Sequence, residues 1–249
     1  MSGFKDHFSS HASAYSTYRP RYPAALADWL ASEAPSTSLA VDVGCGSGQL
    51  SILLADRFAQ VAALDPSAEQ IANAAPHAKV AYRVAPAEQT GVAAGSADLL
   101  TAAQAAHWFD LPAFFAEARR ILKPGGLIAL VTYAGMKPGS DVATIVETFR
   151  TETLAPYWPP ERAMVDNDYR DIRLPFDAVD APRLILEARW SLDALIGYLD
   201  TWSAVRAMER SVGRAAFERT VELLRDAWGP SEDSRLLQWP LTVVAGRKG

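Results

Sequence analysis

The stretch LAVDVGCGSGQLSILLADRF, residues 39–58, constrains the fold most strongly. A short, mostly apolar run, Leu39–Val43, leads directly into Gly44, Gly46 and Gly48. Leu50, Leu53, Leu54 and Phe58 then recur at helical spacing. The run reads as a buried strand and the leucine spacing as a helix over 48–58. Glycine between them permits positive φ and removes the Cβ that would block a ligand's close approach. A turn of this kind lies at the ligand edge of a parallel sheet.

The rhythm repeats as far as Tyr133. Strands are predicted at Gln60–Leu64, closed by Asp65-Pro66, and at Val80–Val84, Ala97–Ala102 and Leu127–Tyr133. Helices are predicted at Ser67–Ala75, opened by a Ser cap, and at Leu111–Leu122, stopped by Lys123-Pro124-Gly125-Gly126. Strands alternating with helices imply an α/β fold with a mostly parallel sheet, and right-handed crossovers make it doubly wound. After Tyr133 the rhythm fails. A strand is predicted at Pro182–Trp190, helices at Leu192–Met208 and Ala215–Trp228, and a last strand at Gln238–Arg247. The helical material at about 135–180 and 192–228 reads as a cap over the sheet's ligand edge. With no low-complexity linker and no internal repeat, residues 1–249 read as one domain whose core is about 37–133 plus the two late strands.

Composition excludes several classes. The one cysteine, Cys45, can form neither an internal disulfide nor a Cys-rich zinc site. His7, His11, His77 and His107 lack the H-E-x-x-H spacing, so no metal site is expected. A formal charge of −5 argues against a global electrostatic grip on nucleic acid. The start has no apolar segment of signal-peptide length, and the longest nearly apolar run, around Leu127–Met136, is too short to span a bilayer. A cytoplasmic protein acting on a small molecule, without nucleic-acid or membrane partners, is expected. Its oligomeric state is left open.

The glycine spacing decides between nucleotide motifs. A dinucleotide fingerprint needs its third glycine at 49, where Gln49 stands, and a Walker loop needs Lys-Ser/Thr after Gly48. Both are missing, which counts against a nicotinamide oxidoreductase. From Asp42 the pattern is D-x-G-x-G-x-G. It resembles motif I of the class I S-adenosylmethionine (SAM)-dependent methyltransferases, of the type 11 kind. Asp65, the Ala87-Glu88 pair, the Gln104–Asp110 stretch QAAHWFD and the LKPGGLIALVTY turn extend the resemblance over about 37–133. It implies a Rossmann-like, seven-stranded sheet with a helical cap and SAM as cofactor. Gly44, Gly46 and Gly48 would lie beside the methionine part of SAM, with Asp42 helping to hold its amino group directly or through water. Asp65 would take both ribose hydroxyls, and Ala87 and Glu88 would lie near the adenine. Gln104, His107 and Trp108 would face the sulfonium or the acceptor. Plainer readings stay open: a tight turn without ligand, a solvated Glu88, a core Trp108 and a capping His107.

The two ends of the chain add an acceptor. Tyr15, Tyr18 and Tyr22 with Arg19 and Arg21 could close over the cofactor, Tyr18 and Arg19 touching it directly. Taken together, Y-x-x-Y-R-P-x-Y-P, QAAHWFD and the later Y-x-x-T-W-S-A at Tyr198 and Trp202 are similar to the trans-aconitate methyltransferases and other small-molecule carboxyl methyltransferases. That resemblance implies O-methylation of a small carboxylate, such as a trans-aconitate-like acid. A carboxylate is ionised at pH 7 and needs no base. Arg19, Arg21 and Arg206 are the candidates to hold it, beside Trp108, Tyr198 and Trp202. A hydroxyl or amine acceptor would instead need a base, and His107 is the candidate. The alternatives are N- or C-methylation of a small aromatic metabolite, and a SAM-binding sensor or partner without transferase activity.

Overall fold

The computed structural model describes residues 19–137, 139–230 and 233–249. Helix α1 (Ala24–Glu33) precedes five strands of one parallel sheet: β1 (Leu39–Val43), β2 (Gln60–Asp65), β3 (Val80–Val84), β4 (Ala97–Ala103) and β5 (Leu122–Thr132). Between them run α2 (Gln49–Ala55), α3 (Ala68–Ala72) and α4 (Leu111–Ile121). Strand β4 is buried along almost its whole length, as is β1 after its first residue. This explains their near-continuous apolar sequence, since a parallel strand covered by helices on both faces has no solvent side to alternate toward.

Three later strands, β6 (Asp177–Val179), β7 (Leu184–Trp190) and β8 (Arg235–Arg247), complete the sheet, whose order is β3-β2-β1-β4-β5-β8-β6 with β7 also on β8. The chain steps outward from β1 to β3, then returns to lay β4 on β1's other side. The crevice between β1 and β4 is therefore a topological switch point, with every loop that leaves a strand's carboxyl end opening toward it. Strand β8 (Arg235–Arg247) runs antiparallel to β5, pairing Thr132 with Thr242.

The sixth strand is where seven strands become eight. Residues 177–190 form one edge ribbon against β8, broken into β6 (Asp177–Val179) and β7 (Leu184–Trp190). Pro182 lies in the break, and a proline there has no N–H for the ladder. Two further boundaries differ from the predicted ones. β5 begins at Leu122, and the Lys123–Gly126 segment is an irregularity inside it: pairing with β4 shifts between Ala97 and Leu99, and Gly125 takes φ +74°. The expected helix over Leu192–Met208 is two, α7 (Leu192–Asp200) and α8 (Ser203–Val212). The Thr201 hydroxyl donates to the Tyr198 carbonyl at 2.6 Å and Trp202 turns extended, which ends α7.

Two apolar layers flank the sheet. On one face Leu50, Leu54 and Phe58 pack with α1 and the C-terminal helices. On the other Phe114, Ala118 and Ile121 of α4 meet Val165 and Tyr169. The later helices are α5 (Asp141–Thr148), α6 (Arg162–Asp166) and α9 (Ala215–Trp228), with α9 against α5. Phe149, next after α5, stacks on Trp202 at 6.4 Å, tying this helical layer to the α7–α8 break. Among the described residues, no helix is long and apolar enough to cross a membrane.

Candidate active site

The glycine turn after β1 is built by three left-handed residues, Gly44, Gly46 and Gly48, at φ +64°, +55° and +86°. They do different work. A Cβ on Gly44 would lie 2.4 Å from the Ala105 Cβ, so this glycine lets the turn pass under the β4 exit. A Cβ on Gly48 would lie 2.2 Å from the Tyr82 hydroxyl. A Cβ on Gly46 would meet nothing nearer than the Gln70 carboxamide at 3.8 Å, so the bare main chain here borders open space.

That space is a cavity of about 540 Å³ bordered by Asp42, Gly44, Gly46, Asp65, Pro86, Ala87, Glu88, Gln104 and Arg19, among others. Asp65 closes β2 and turns back to the glycines: its Oδ2 accepts the Gly46 N–H at 2.9 Å and its Oδ1 the Ser67 N–H at 2.8 Å. Asp42 is almost wholly buried, with Oδ2 accepting Ser51 at 2.6 Å and Oδ1 accepting Thr101 at 2.8 Å. Burial pushes its pKa up to about 6, against the two hydroxyl bonds. Cys45 borders the cavity, but burial and the nearby Asp42 and Asp65 push its thiol up, so it is no nucleophile. Glu88 accepts the Asp110 N–H at 2.9 Å, bracing the loop after β3 against the start of α4.

Gln104 leaves β4 with a left-handed backbone, φ +54°, unusual for a side chain of this size. Its amide is fixed at both ends, donating to the Tyr133 carbonyl at 2.7 Å and accepting Thr132 at 2.9 Å. It stands with Arg19, Trp108 and Tyr133 on the border between the cavity and a smaller adjoining pocket of about 60 Å³. There His107, Trp158, Arg162, Tyr198 and Trp202 complete the wall. Arg19 donates to the Tyr133 hydroxyl at 3.4 Å and lies 5.5 Å from the Tyr198 ring centre. Arg162 stacks on Trp158 at 4.5 Å and gives its Nε to Asp166 at 3.0 Å. His107 bonds Tyr169 through Nδ1 at 2.8 Å, and burial, with Arg162 nearby, pulls its pKa down to about 3.

Three predicted site residues fall elsewhere. Gly48 does not border the cavity: its missing side chain makes room for Tyr82, and it serves the turn as the N-cap of α2. Arg21 is exposed and borders neither space. Arg206 borders neither as well, because the α7–α8 break takes it off the stripe that one continuous helix would give Tyr198, Trp202 and Arg206. Tyr18 lies outside the described residues. Arg162, Trp158, Tyr133 and Tyr169 were missed. The Trp-Pro-Pro-Glu-Arg run at 158–162 reads in sequence as an interruption, and nothing in it signals which wall it joins.

A doubly wound sheet with a bare turn after β1 and a carboxylate closing β2 defines an enzyme that seats a nucleoside-bearing ligand at its switch point. Comparison with known proteins names the family. Residues 41–130 match the family described as Methyltransferase domain. A Dictyostelium discoideum protein named as a methyltransferase is 34% identical, covering 98% of this chain and 96% of its own. A solved structure from Anaeromyxobacter dehalogenans, named as a type II methyltransferase, superposes with a TM-score of 0.87 at 46% identity, covering 92% of this chain and 98% of that one. Over 98 residues the chain is also 43% identical to a malonyl-[acyl-carrier protein] O-methyltransferase of Hahella chejuensis, covering 37% of this chain and 35% of that protein. The chain belongs to the class I SAM-dependent methyltransferases, and SAM is its cofactor. The residues present fit that group: a cavity of ligand size, main chain without Cβ at Gly46, and the carboxylates of Asp42 and Asp65 on its border.

Proposed function

We propose that this methyltransferase transfers the methyl group to a carboxylate oxygen of a small organic acid, of which a trans-aconitate-like acid is one form. The observation that carries the reading is the charge of the smaller pocket. Its wall holds two guanidinium groups, Arg19 and Arg162, the second also in an ion pair with Asp166, and no Asp or Glu among the described residues. Such a wall attracts an anion and repels a protonated amine. His107, with its pKa pulled down to about 3, is a weak base at neutral pH, which suits an acceptor that is already ionised. The relative named as a malonyl-[acyl-carrier protein] O-methyltransferase supports oxygen as the acceptor atom.

When bound, SAM supplies a methyl carbon already activated by a positive sulfur. Asp65 would hold the ribose, Ala87 and Glu88 would border the adenine, and Asp42, Gly44 and Gly46 would lie beside the amino-acid part. Gln104 and Trp108 would separate cofactor from acceptor and orient the approach, and Arg19 could reach either carboxylate. The chain's contribution is alignment and exclusion of water. In this reading residues 1–249 act as one domain in which the segments around 134–166 and 198–203 cap the acceptor end.

Trp108, Trp158, Tyr198 and Trp202 form a largely aromatic wall and favour a second reading, N- or C-methylation of a small aromatic metabolite. Radiolabelled SAM offered with matched acids, phenols and amines separates the two. The carboxylate reading expects a base-labile methyl ester from the acids. Label found only in amines, phenols or ring carbons would refute it.

A further inference from the structure

The buried side of the smaller pocket carries a device that methyl transfer alone does not explain. Asp168 and Tyr169, neither of them glycine, both take left-handed backbones, φ +54° and +57°, just beyond α6. Consecutive residues in that region persist only where their surroundings hold them, and such strain concentrates at functional sites. The turn they make carries the Tyr169 ring into complete burial and sets its hydroxyl 2.8 Å from His107 Nδ1. The two rings lie 6.1 Å apart. His107 Nε2 makes no hydrogen bond among the described residues, and His107 borders the smaller pocket.

The direction of that bond decides what His107 can do. The Tyr169 hydroxyl has one proton to place, and two groups face it as acceptors: His107 Nδ1 at 2.8 Å and the Thr132 hydroxyl oxygen. The Thr132 hydroxyl nearby spends its own proton on Gln104. If Nδ1 were the donor, the Tyr169 proton would have to turn from the 2.8 Å Nδ1 contact to the Thr132 oxygen, for which no hydrogen-bond geometry as close is present. Burial pushes the phenol up, so it keeps that proton.

We propose that the Tyr169 hydroxyl donates to His107 Nδ1 and fixes the imidazole as its Nε2–H tautomer, a hydrogen-bond donor aimed at the acceptor and not a base. The proposal rests on the reading of the smaller pocket as the acceptor's end. Tyr169 is then a positioning residue: it touches no reactant, and it sets which ring nitrogen carries the proton. The acceptor atom that meets His107 must offer a lone pair, as a carboxylate oxygen does.

Nitrogen NMR of the imidazole in the full-length protein reads the tautomer without any acceptor. Wild type is expected to show a protonated Nε2 and an unprotonated, hydrogen-bonded Nδ1. A proton on Nδ1 would overturn the proposal. In Tyr169→Phe the tautomers should mix, with acceptor KM raised about tenfold by loss of a well-placed donor and SAM affinity unchanged. An unchanged tautomer in that variant would overturn it too. His107→Gln puts an amide N–H near the place of Nε2–H and should keep more activity than His107→Asn or His107→Ala. Equal inactivity of all three would point to a base and against a donor. A protonated Nε2 in an enzyme that methylates only amines would leave the tautomer standing and refute the carboxylate reading, so the two failures are distinguishable.

Discussion

Replacing Asp42 with Asn should stabilise the protein and weaken the cofactor's hold, and the stabilisation should depend on pH in a set way. Asp42 is 1% exposed, and its pKa rises from 3.8 to about 6, chiefly through burial. For an acid whose folded-state pKa is raised, the protonated form is the one favoured by folding. Its contribution is fully present below about 3.8 and is lost as pH rises through about 6. The full swing corresponds to about 3 kcal/mol, so ionised Asp42 costs roughly that much at pH 8 and about 0.5 kcal/mol at pH 4. An amide fits the same place. Its oxygen can accept Ser51, and its NH₂ can donate to Thr101, whose hydroxyl proton has the Val41 carbonyl within 3.4 Å. Any fixed cost of that rearrangement is the same at every pH, so the slope is the diagnostic. Denaturant unfolding of both proteins from pH 4 to pH 8 should show the Asn variant gaining about 2–3 kcal/mol relative to wild type across the range. Calorimetry should show SAM affinity falling about tenfold, the loss of one charge-assisted contact. A stability difference that stays flat with pH would refute the assignment of a buried, reluctantly ionised carboxylate.

Two further substitution sets test the geometry. Gly46→Ala meets no atom closer than 3.8 Å, so it should cost only the positive-φ penalty of about 1–2 kcal/mol while its methyl crowds the cavity and lowers SAM affinity. Gly48→Ala drives a Cβ to 2.2 Å from the Tyr82 hydroxyl and should destabilise by about 2–3 kcal/mol beyond that, with SAM affinity of the folded protein less affected. Thermal unfolding and calorimetry on both would expose the reverse order. Arg162→Gln should raise acceptor KM about tenfold with SAM affinity unchanged. Arg21→Gln and Arg206→Gln should leave both near wild type, and steady-state kinetics with saturating SAM checks all three.

The half of the site that binds the cofactor is readable in sequence because local chemistry fixes it. Three glycines between an apolar strand and a helix have few other uses, and an acid that ends a parallel strand must open toward the same crevice. Asp42, Asp65, Ala87, Glu88 and Gln104 accordingly meet around one cavity. The acceptor half depends on where long connections come to rest. Trp158 and Arg162 follow a proline-rich stretch with no periodicity, and they reach the pocket through tertiary packing. Arg206 illustrates the opposite error. Helical spacing links it to Tyr198 and Trp202, yet one threonine back-bond and one extended tryptophan end the helix first. The edge strand shows the same limit: the strand read from Pro182 to Trp190 forms from Leu184, while the short β6 ahead of it carries no sequence pattern and forms by pairing with β8.

The central claim is that Gly44–Gly46 and Asp65 form the seat of the adenosyl cofactor. Co-crystallisation with S-adenosylhomocysteine tests it most directly. The ligand should lie in the cavity between β1 and β4, with both ribose hydroxyls on the Asp65 carboxylate and its sulfur facing Gln104 and Trp108. A ligand bound anywhere else, or one in this cavity whose ribose makes no contact with Asp65, would contradict the account.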